Sequence, residues 1–208
     1  MYYGVAAGNG QGILMGMEAG GISPTRGFEI AEFEARCAKA QALMAAADIS
    51  AILLTTEPEI RYFSGFLTPF WQSPTRPWFM VVPATGKPVA VIPEIGRDCM
   101  AATWIDDIRT WSSPDPENDG VSLLMEALRE AVGDGSAFGV AMGPETHLRM
   151  PLLDFEMLTR TLALDIADAT PILRQLRMVK SGTEIEKIAH ICGIVSSIFE
   201  GMPGWLAA

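Results

Sequence analysis

The strongest constraint on this chain is an alternation. Between Phe28 and Ile166, segments with helical spacing of apolar residues take turns with short β-branched or leucine-rich runs. From Phe28 to Ala47 the positions Phe33, Cys37, Ala40, Met44 and Ala47 recur at steps of four and three, the single buried stripe of an amphipathic helix. Ser50 to Thr55 then reads as a buried strand and Glu57 to Tyr62 as a short helix. Trp78–Val82 and Pro88–Ile92 flank a turn in which Gly86 can supply a positive φ, so these two runs should pair as an antiparallel hairpin. A helix over Arg97–Trp104, a strand at Ile108–Trp111, a helix over Val121–Val132 and a strand at Phe138–Met142 follow. Pro151, whose missing N–H costs nothing in a first turn, opens another helix, and Leu164–Ile166 gives the last strand. The fold class is therefore α/β, with a mixed six-stranded sheet flanked by helices.

The end of the chain differs in kind. Ser181-Gly-Thr-Glu184 has the spacing of a capping box and should start a helix. Downstream, Ile185, Ile188, Cys192, Val195 and Phe199 step by three and four, an apolar stripe that needs another layer to cover it. With the basic segment Arg174–Lys180 before it, this helix reads as the opening of a second domain that is missing from the chain. The expected organisation is a glycine-rich arm over 1–27, a domain over 28–172, and a linker with one helix over 173–208.

Composition narrows the function. Lys and Arg number 15 against 25 Asp and Glu, a net charge of −10, which disfavours a nucleic-acid partner because phosphate binding needs a basic face. Mean hydropathy is +0.23, yet no apolar run approaches the roughly 18 to 20 residues of a membrane-spanning helix. Cys37, Cys99 and Cys192 are widely spaced and odd in number, as expected of reduced thiols in a cytoplasmic protein. The arm holds eight glycines and no Lys or Arg before Arg26, so it lacks the basic n-region expected of a secretory signal. Gly8, Gly10 and Gly12 follow no strand and precede no Gly-Lys-Ser/Thr, so they make no phosphate loop.

Several motifs carry little chemistry. Asp115, Glu117, Asp119, Gly120 and Glu126 match a calcium-loop spacing, but Pro114 and Pro116 interrupt it and a strand stands where a helix should. A solvated acidic turn, with Asp119 capping the next helix, accounts for the same residues. His147 and His190 are the only histidines and neither sits in a ligand pattern. There is no Gly-x-Ser-x-Gly or Ser-x-x-Lys nucleophile, and Asp106-Asp107 at a strand start would point to opposite faces rather than form a dyad. Tyr62 to Phe79 is the exception. It gathers aromatics around Pro69, Pro74 and Pro77, which bar a helix, and holds the single cation Arg76. A stiff apolar loop with one fork-shaped charge suits an interface or a substrate wall.

Taken together, Ile52-Leu-Leu-Thr55, Glu59-Ile-Arg-Tyr-Phe-Ser-Gly-Phe66, the hairpin Val81-Val-Pro-Ala-Thr-Gly-Lys-Pro88 and Trp104-Ile-Asp-Asp-Ile-Arg109 resemble the N-terminal domain of the creatinase/prolidase/aminopeptidase P family. Arg174-Gln-Leu-Arg-Met-Val-Lys-Ser-Gly-Thr-Glu-Ile-Glu-Lys-Ile188 is similar to the junction that opens the family's catalytic domain. The likeness extends from Phe28 to Phe199, with Glu59 standing where the family usually has Asn. It implies a ribonuclease H-like fold and, in the parent protein, hydrolysis of Xaa-Pro bonds by two divalent ions, commonly manganese, cobalt or zinc. The ligands, two Asp, one His and two Glu, belong to the catalytic domain, so no metal site or catalytic residue is expected in this chain. The resemblance further implies a homodimer whose loop enters the partner's active site. Arg76, with Phe70 or Trp71, best matches the loop residues that touch a small peptide or amide substrate. The same domain type serves creatinase-like amidinohydrolases and non-enzymatic peptide-binding modules, which remain the alternatives.

Overall fold

The computed structural model describes residues 23–73 and 76–206. The glycine-rich stretch up to residue 22, with Gly8, Gly10 and Gly12, lies outside them. The chain forms two compact units, one spanning Gly27–Lys180 and one containing the C-terminal helix.

Within Gly27–Lys180 the strands are β1 (Ala51–Leu54), β2 (Phe79–Pro83), β3 (Val89–Pro93), β4 (Asp107–Trp111), β5 (Ala137–Val140) and β6 (Asp165–Asp168). They form a six-stranded sheet in the order β4-β3-β2-β1-β5-β6. Only the pairings of β2, with β1 and with β3, are antiparallel; β1–β5, β5–β6 and β3–β4 are parallel. The mixed sheet and its hairpin are as the sequence predicts, with Gly86 at φ 84 in the hairpin turn.

Helices α1 (Ile30–Ala46), α2 (Glu57–Ser64), α3 (Arg97–Ala101), α4 (Val121–Val132), α5 (Leu152–Leu162) and α6 (Thr170–Met178) cover the two faces. The period-two alternation of β1 divides the core. Ile52 and Leu54 join Met80, Val82, Ala90 and Ile92 under residues of α1, α2 and α6. Ala51 and Leu53 face the other way, with Phe79, Val81 and Val91, under α4 and α5. Three layers result, each face of the sheet being sealed by helices whose stripes have the width of one buried face.

Polar tethers lock the first layer. Arg36 interrupts the apolar stripe of α1, yet it is buried, donating to the Tyr62 carbonyl at 2.8 Å and pairing with Glu32 at 3.1 Å. Its guanidinium also lies 4.2 Å from the Phe28 ring centroid and 4.4 Å from that of Tyr62. Trp104 Nε1 donates to the Phe63 carbonyl at 2.7 Å, and the Tyr62 hydroxyl to the Leu176 carbonyl at 3.0 Å. Each satisfies a carbonyl near a helix C-terminus that would otherwise be unpaired.

Several expected boundaries shift. α3 ends at Ala101 rather than Trp104, and β6 occupies Asp165–Asp168 instead of Leu164–Ile166, an edge strand with little burial to fix its register. The segment expected as a linker from residue 173 forms most of α6, where Ile172, Leu173 and Leu176 are buried. The compact unit accordingly runs to Lys180. Asp119 does not cap α4. Asn118 accepts the Ser122 N–H at 2.9 Å, while Asp119 takes the Trp111 indole at 2.7 Å, the Ser113 hydroxyl at 3.0 Å and the Asp115 N–H at 3.3 Å. The acidic turn is solvent-facing, as expected, and is also held by hydrogen bonds to Trp111 and Ser113.

In the second unit, α7 (Gly182–Leu206) starts at the predicted capping box: Glu184 N–H donates to Ser181 Oγ at 3.1 Å and Ser181 N–H to the Glu184 carboxylate at 2.9 Å. No residue of α7 is buried. Among the described residues, no helix is long and apolar enough to cross a membrane.

Candidate functional site

The candidate site is built on the loop between α2 and β2. Gly65 ends α2 in the left-handed region at φ 75, where a Cβ would come within 2.8 Å of the Phe33 ring, so glycine is required here. Phe66 then turns inward. The prolines do not leave the next stretch irregular: Pro69–Gln72 is one turn of 3-10 helix. Pro69 sits in its first turn, where no N–H is needed, and Thr68 Oγ1 accepts the Phe70 N–H at 3.3 Å.

The aromatic residues separate into buried and exposed ones. Trp71 is 9% exposed and packs 6.2 Å from Phe66 and 5.5 Å from Trp78, centroid to centroid. Phe70, 37% exposed, is the aromatic the loop presents outward. Trp71 thus packs behind the loop, and Phe70 is the ring open to solvent. Arg76 is half-buried and makes no hydrogen bond or ion pair with the described residues.

The cation that holds the loop is a different one. Arg149 lies far along the chain in the segment between β5 and α5, its guanidinium 5.2 Å from the Trp71 ring centroid, and it donates to the Ser73 carbonyl. Its backbone N–H donates to Thr55 Oγ1 at 3.0 Å, tying the loop to the end of β1. Burial pushes its pKa down while the charge of Glu57 opposes the shift. Among the described residues, the buried donors Trp71 Nε1, Trp78 Nε1 and Arg149 Nη1 find no hydrogen-bond partner. No spacing rule in the sequence points to Arg149, because its partners come from β1 and the loop.

Asp106 and Asp107 are engaged separately, Asp106 with Lys87 at 2.5 Å and Asp107 with Arg109 at 2.9 Å. Among the described residues, no group of three or more His, Cys, Asp or Glu side chains comes together to hold a metal ion.

The Creatinase/Prolidase N-terminal domain family matches residues 36–179. The chain belongs to this family. As a creatinase/prolidase N-terminal domain it is similar to dipeptidase PepE of Mycobacterium ulcerans, with 26% identity over 86% of this chain and a TM-score of 0.64. Its fold is also that of the prolidase from Thermococcus sibiricus, at 16% identity over 84% of the chain and a TM-score of 0.66. The N-terminal domain of the cytoplasmic peptidase PepQ from Mycobacterium tuberculosis H37Rv, at 18% identity, aligns over 98% of its own length with a TM-score of 0.51. No curated protein sequence matches the chain. The chain spans 45% of the length of the PepE structure and 44% of the Thermococcus prolidase. The two divalent ions that the resemblance implies find no set of donors among the described residues.

Proposed function

We propose that the chain is the non-catalytic N-terminal domain of a metal-dependent Xaa-Pro peptidase-like hydrolase. The observation that carries this reading is the family match over residues 36–179, alongside relatives whose structures are of a dipeptidase and of prolidases. The two divalent ions, manganese, cobalt or zinc, belong in this reading to a catalytic half, and the chain alone is inactive. The domain contributes to a homodimer and offers Phe70 and Arg76, with Trp71 behind them, to the partner subunit's substrate pocket. A guanidinium without a partner among the described residues and an exposed ring on a stiff turn are suited to that task. Three free cysteines, of which Cys99 and Cys192 are exposed, agree with a cytoplasmic setting.

The test is to express the complete reading frame that contains this chain, load it with manganese, and assay Gly-Pro and Leu-Pro against creatine. Hydrolysis of the Xaa-Pro dipeptides is expected. Arg76→Ala should lower kcat/KM at least about tenfold, about 1.4 kcal/mol of transition-state binding, at an unchanged melting temperature. Turnover of creatine alone would assign an amidinohydrolase, and peptide binding without any hydrolysis would assign a binding module. A lowered melting temperature with unchanged kcat/KM would return Arg76 to a structural role.

A further inference from the structure

The sheet has one topological switch point. From β1 the chain leaves through α2, which packs on one face, and proceeds to β2. From β5, the parallel neighbour of β1 on the other side, it leaves through α5, which packs on the opposite face. Where connections diverge in this way, the carboxyl ends of the parallel strands enclose a crevice, the usual ligand position in open α/β sheets.

A cavity of about 310 Å³ occupies that place. Glu59 lines it from the start of α2, Ala141 to Thr146 from the segment after β5, and α6 closes it with Leu173, Arg174 and Arg177. Its size is at the low end of small-molecule sites, which run from roughly 300 to 1,000 Å³.

The charges in it are unbalanced in a specific way. Glu59 is 9% exposed and its carboxylate accepts the Thr56 hydroxyl at 2.7 Å, but no described Lys or Arg forms an ion pair with it. A carboxylate so buried normally has a cationic partner, because losing its water is costly. On the α6 lining of the cavity, Arg174 donates to the Pro144 carbonyl at 3.2 Å and feels the charge of Asp168, while Arg177 and Lys180 form no ion pair with the described residues. Among the described residues, Glu59 thus has no cationic partner and Arg177 no anionic one. Glu145, also on the rim, holds its backbone at φ 64, a region that only a few non-glycine residues adopt. Between the charged walls, Ala141, Leu173 and Met178 leave an apolar patch.

We propose that this crevice binds a free α-amino acid as its zwitterion. The ammonium pairs with Glu59, the carboxylate is taken by the guanidinium forks of Arg174 and Arg177, and an aliphatic side chain rests on Leu173 and Met178. The proposal is independent of the hydrolase reading, since its readout is binding to this chain and not turnover.

The experiment titrates the 208-residue chain with L-leucine, following amide shifts of Gly143, Thr146 and Thr170 and the heat of binding. N-acetyl-L-leucine removes the ammonium, L-leucinamide removes the carboxylate, and inorganic phosphate tests a site for anions alone. Saturable binding of leucine is expected, weakened at least about tenfold by either blocked derivative, by Glu59→Gln and by Arg177→Met, a loss of about 1.4 kcal/mol each. Glu59→Gln retains an acceptor for Thr56, and Arg177 is exposed, so both variants should keep the wild-type melting temperature. Absence of saturation up to about 10 mM leucine, beyond the millimolar floor of specific affinity, would overturn the proposal. So would phosphate binding as tightly as leucine, or leucine binding that ignores Glu59→Gln.

Discussion

Helices α4 and α7 carry apolar stripes of the same period and meet opposite fates. In α4, Val121, Leu124, Ala127, Leu128 and Val132 are all buried, pressed onto the face of the sheet that holds Leu53, Phe79 and Val81. In α7, Ile185 is 57% exposed, Ile188 47% and Phe199 65%. The difference teaches that a hydrophobic period records a demand for cover without naming the cover. For α4 the covering surface is supplied by strands far away in sequence; for α7 none of its described residues reaches burial.

The sharpest way to probe this contrast is to remove a covered side chain. Leu128→Ala should cost about 2–5 kcal/mol in a urea titration of the Gly27–Lys180 unit, the range for a truncated buried leucine. Next in size is the entry to α4. Gly120 sits at φ 86 and a Cβ there would lie 2.6 Å from the Trp111 ring, so Gly120→Ala should cost about 1–3 kcal/mol and quench or shift Trp111 fluorescence. At α7, Ser181→Ala removes one arm of the capping box. It should weaken that helix by about 0.5–2 kcal/mol, read as lost amide protection over residues 185–195, while the urea midpoint of the other unit stays in place.

A pH comparison of two thiols separates the covered stripe of α1 from that of α7. Burial pushes the Cys37 thiol up to about 11 from the ordinary 9.0, whereas Cys192 is exposed. At pH 8 iodoacetamide should modify Cys99 and Cys192 and spare Cys37. Because the folded value lies above the unfolded one, the unfolded chain loses its proton first. The contribution of Cys37 to stability is therefore complete below pH 9 and declines as pH rises toward 11. The smallest effect is expected from Ile188→Ser on α7, within about 0.5 kcal/mol as for other surface changes. A cost comparable with that of Leu128→Ala would show that the α7 stripe is covered in solution and would break the contrast.

Local signals carried much of the fold. The stripe of α1, the Gly86 turn, Pro151 ahead of α5 and the Ser181–Glu184 box each specify structure through neighbours no more than a few residues away, and each is found where the spacing predicts, except that Ala47, the last member of the α1 stripe, is the exposed C-cap. The misplaced features depend on distant partners. β6 has too little burial to set its own limits, and α6 became visible only through Leu173 and Leu176 settling against the first layer. Asp119 was drawn from the cap position by the Trp111 indole, which offers a stronger claim than a helix N–H that Asn118 can satisfy. At the candidate site the aromatic loop was legible from its composition. Which ring would be exposed was not, because Trp71 and Phe70 are adjacent and only the packing of Phe66, Trp78 and Arg149 decides between them.

By itself the sequence determined the alternating elements, the handful of capping and turn residues, the stiff aromatic loop with Arg76, and the resemblance that led to the family. Tertiary structure alone decided that Arg149 clamps the loop, that Glu59 is buried without a cationic partner among the described residues, and that Arg174 and Arg177 line the same cavity as Glu59. Helix and strand periods, caps and turns are interactions between residues close in the chain, so a linear pattern encodes them. Burial, and the pairing of charges across a crevice, depend on which strands become neighbours, and that is settled only when the whole sheet closes its core.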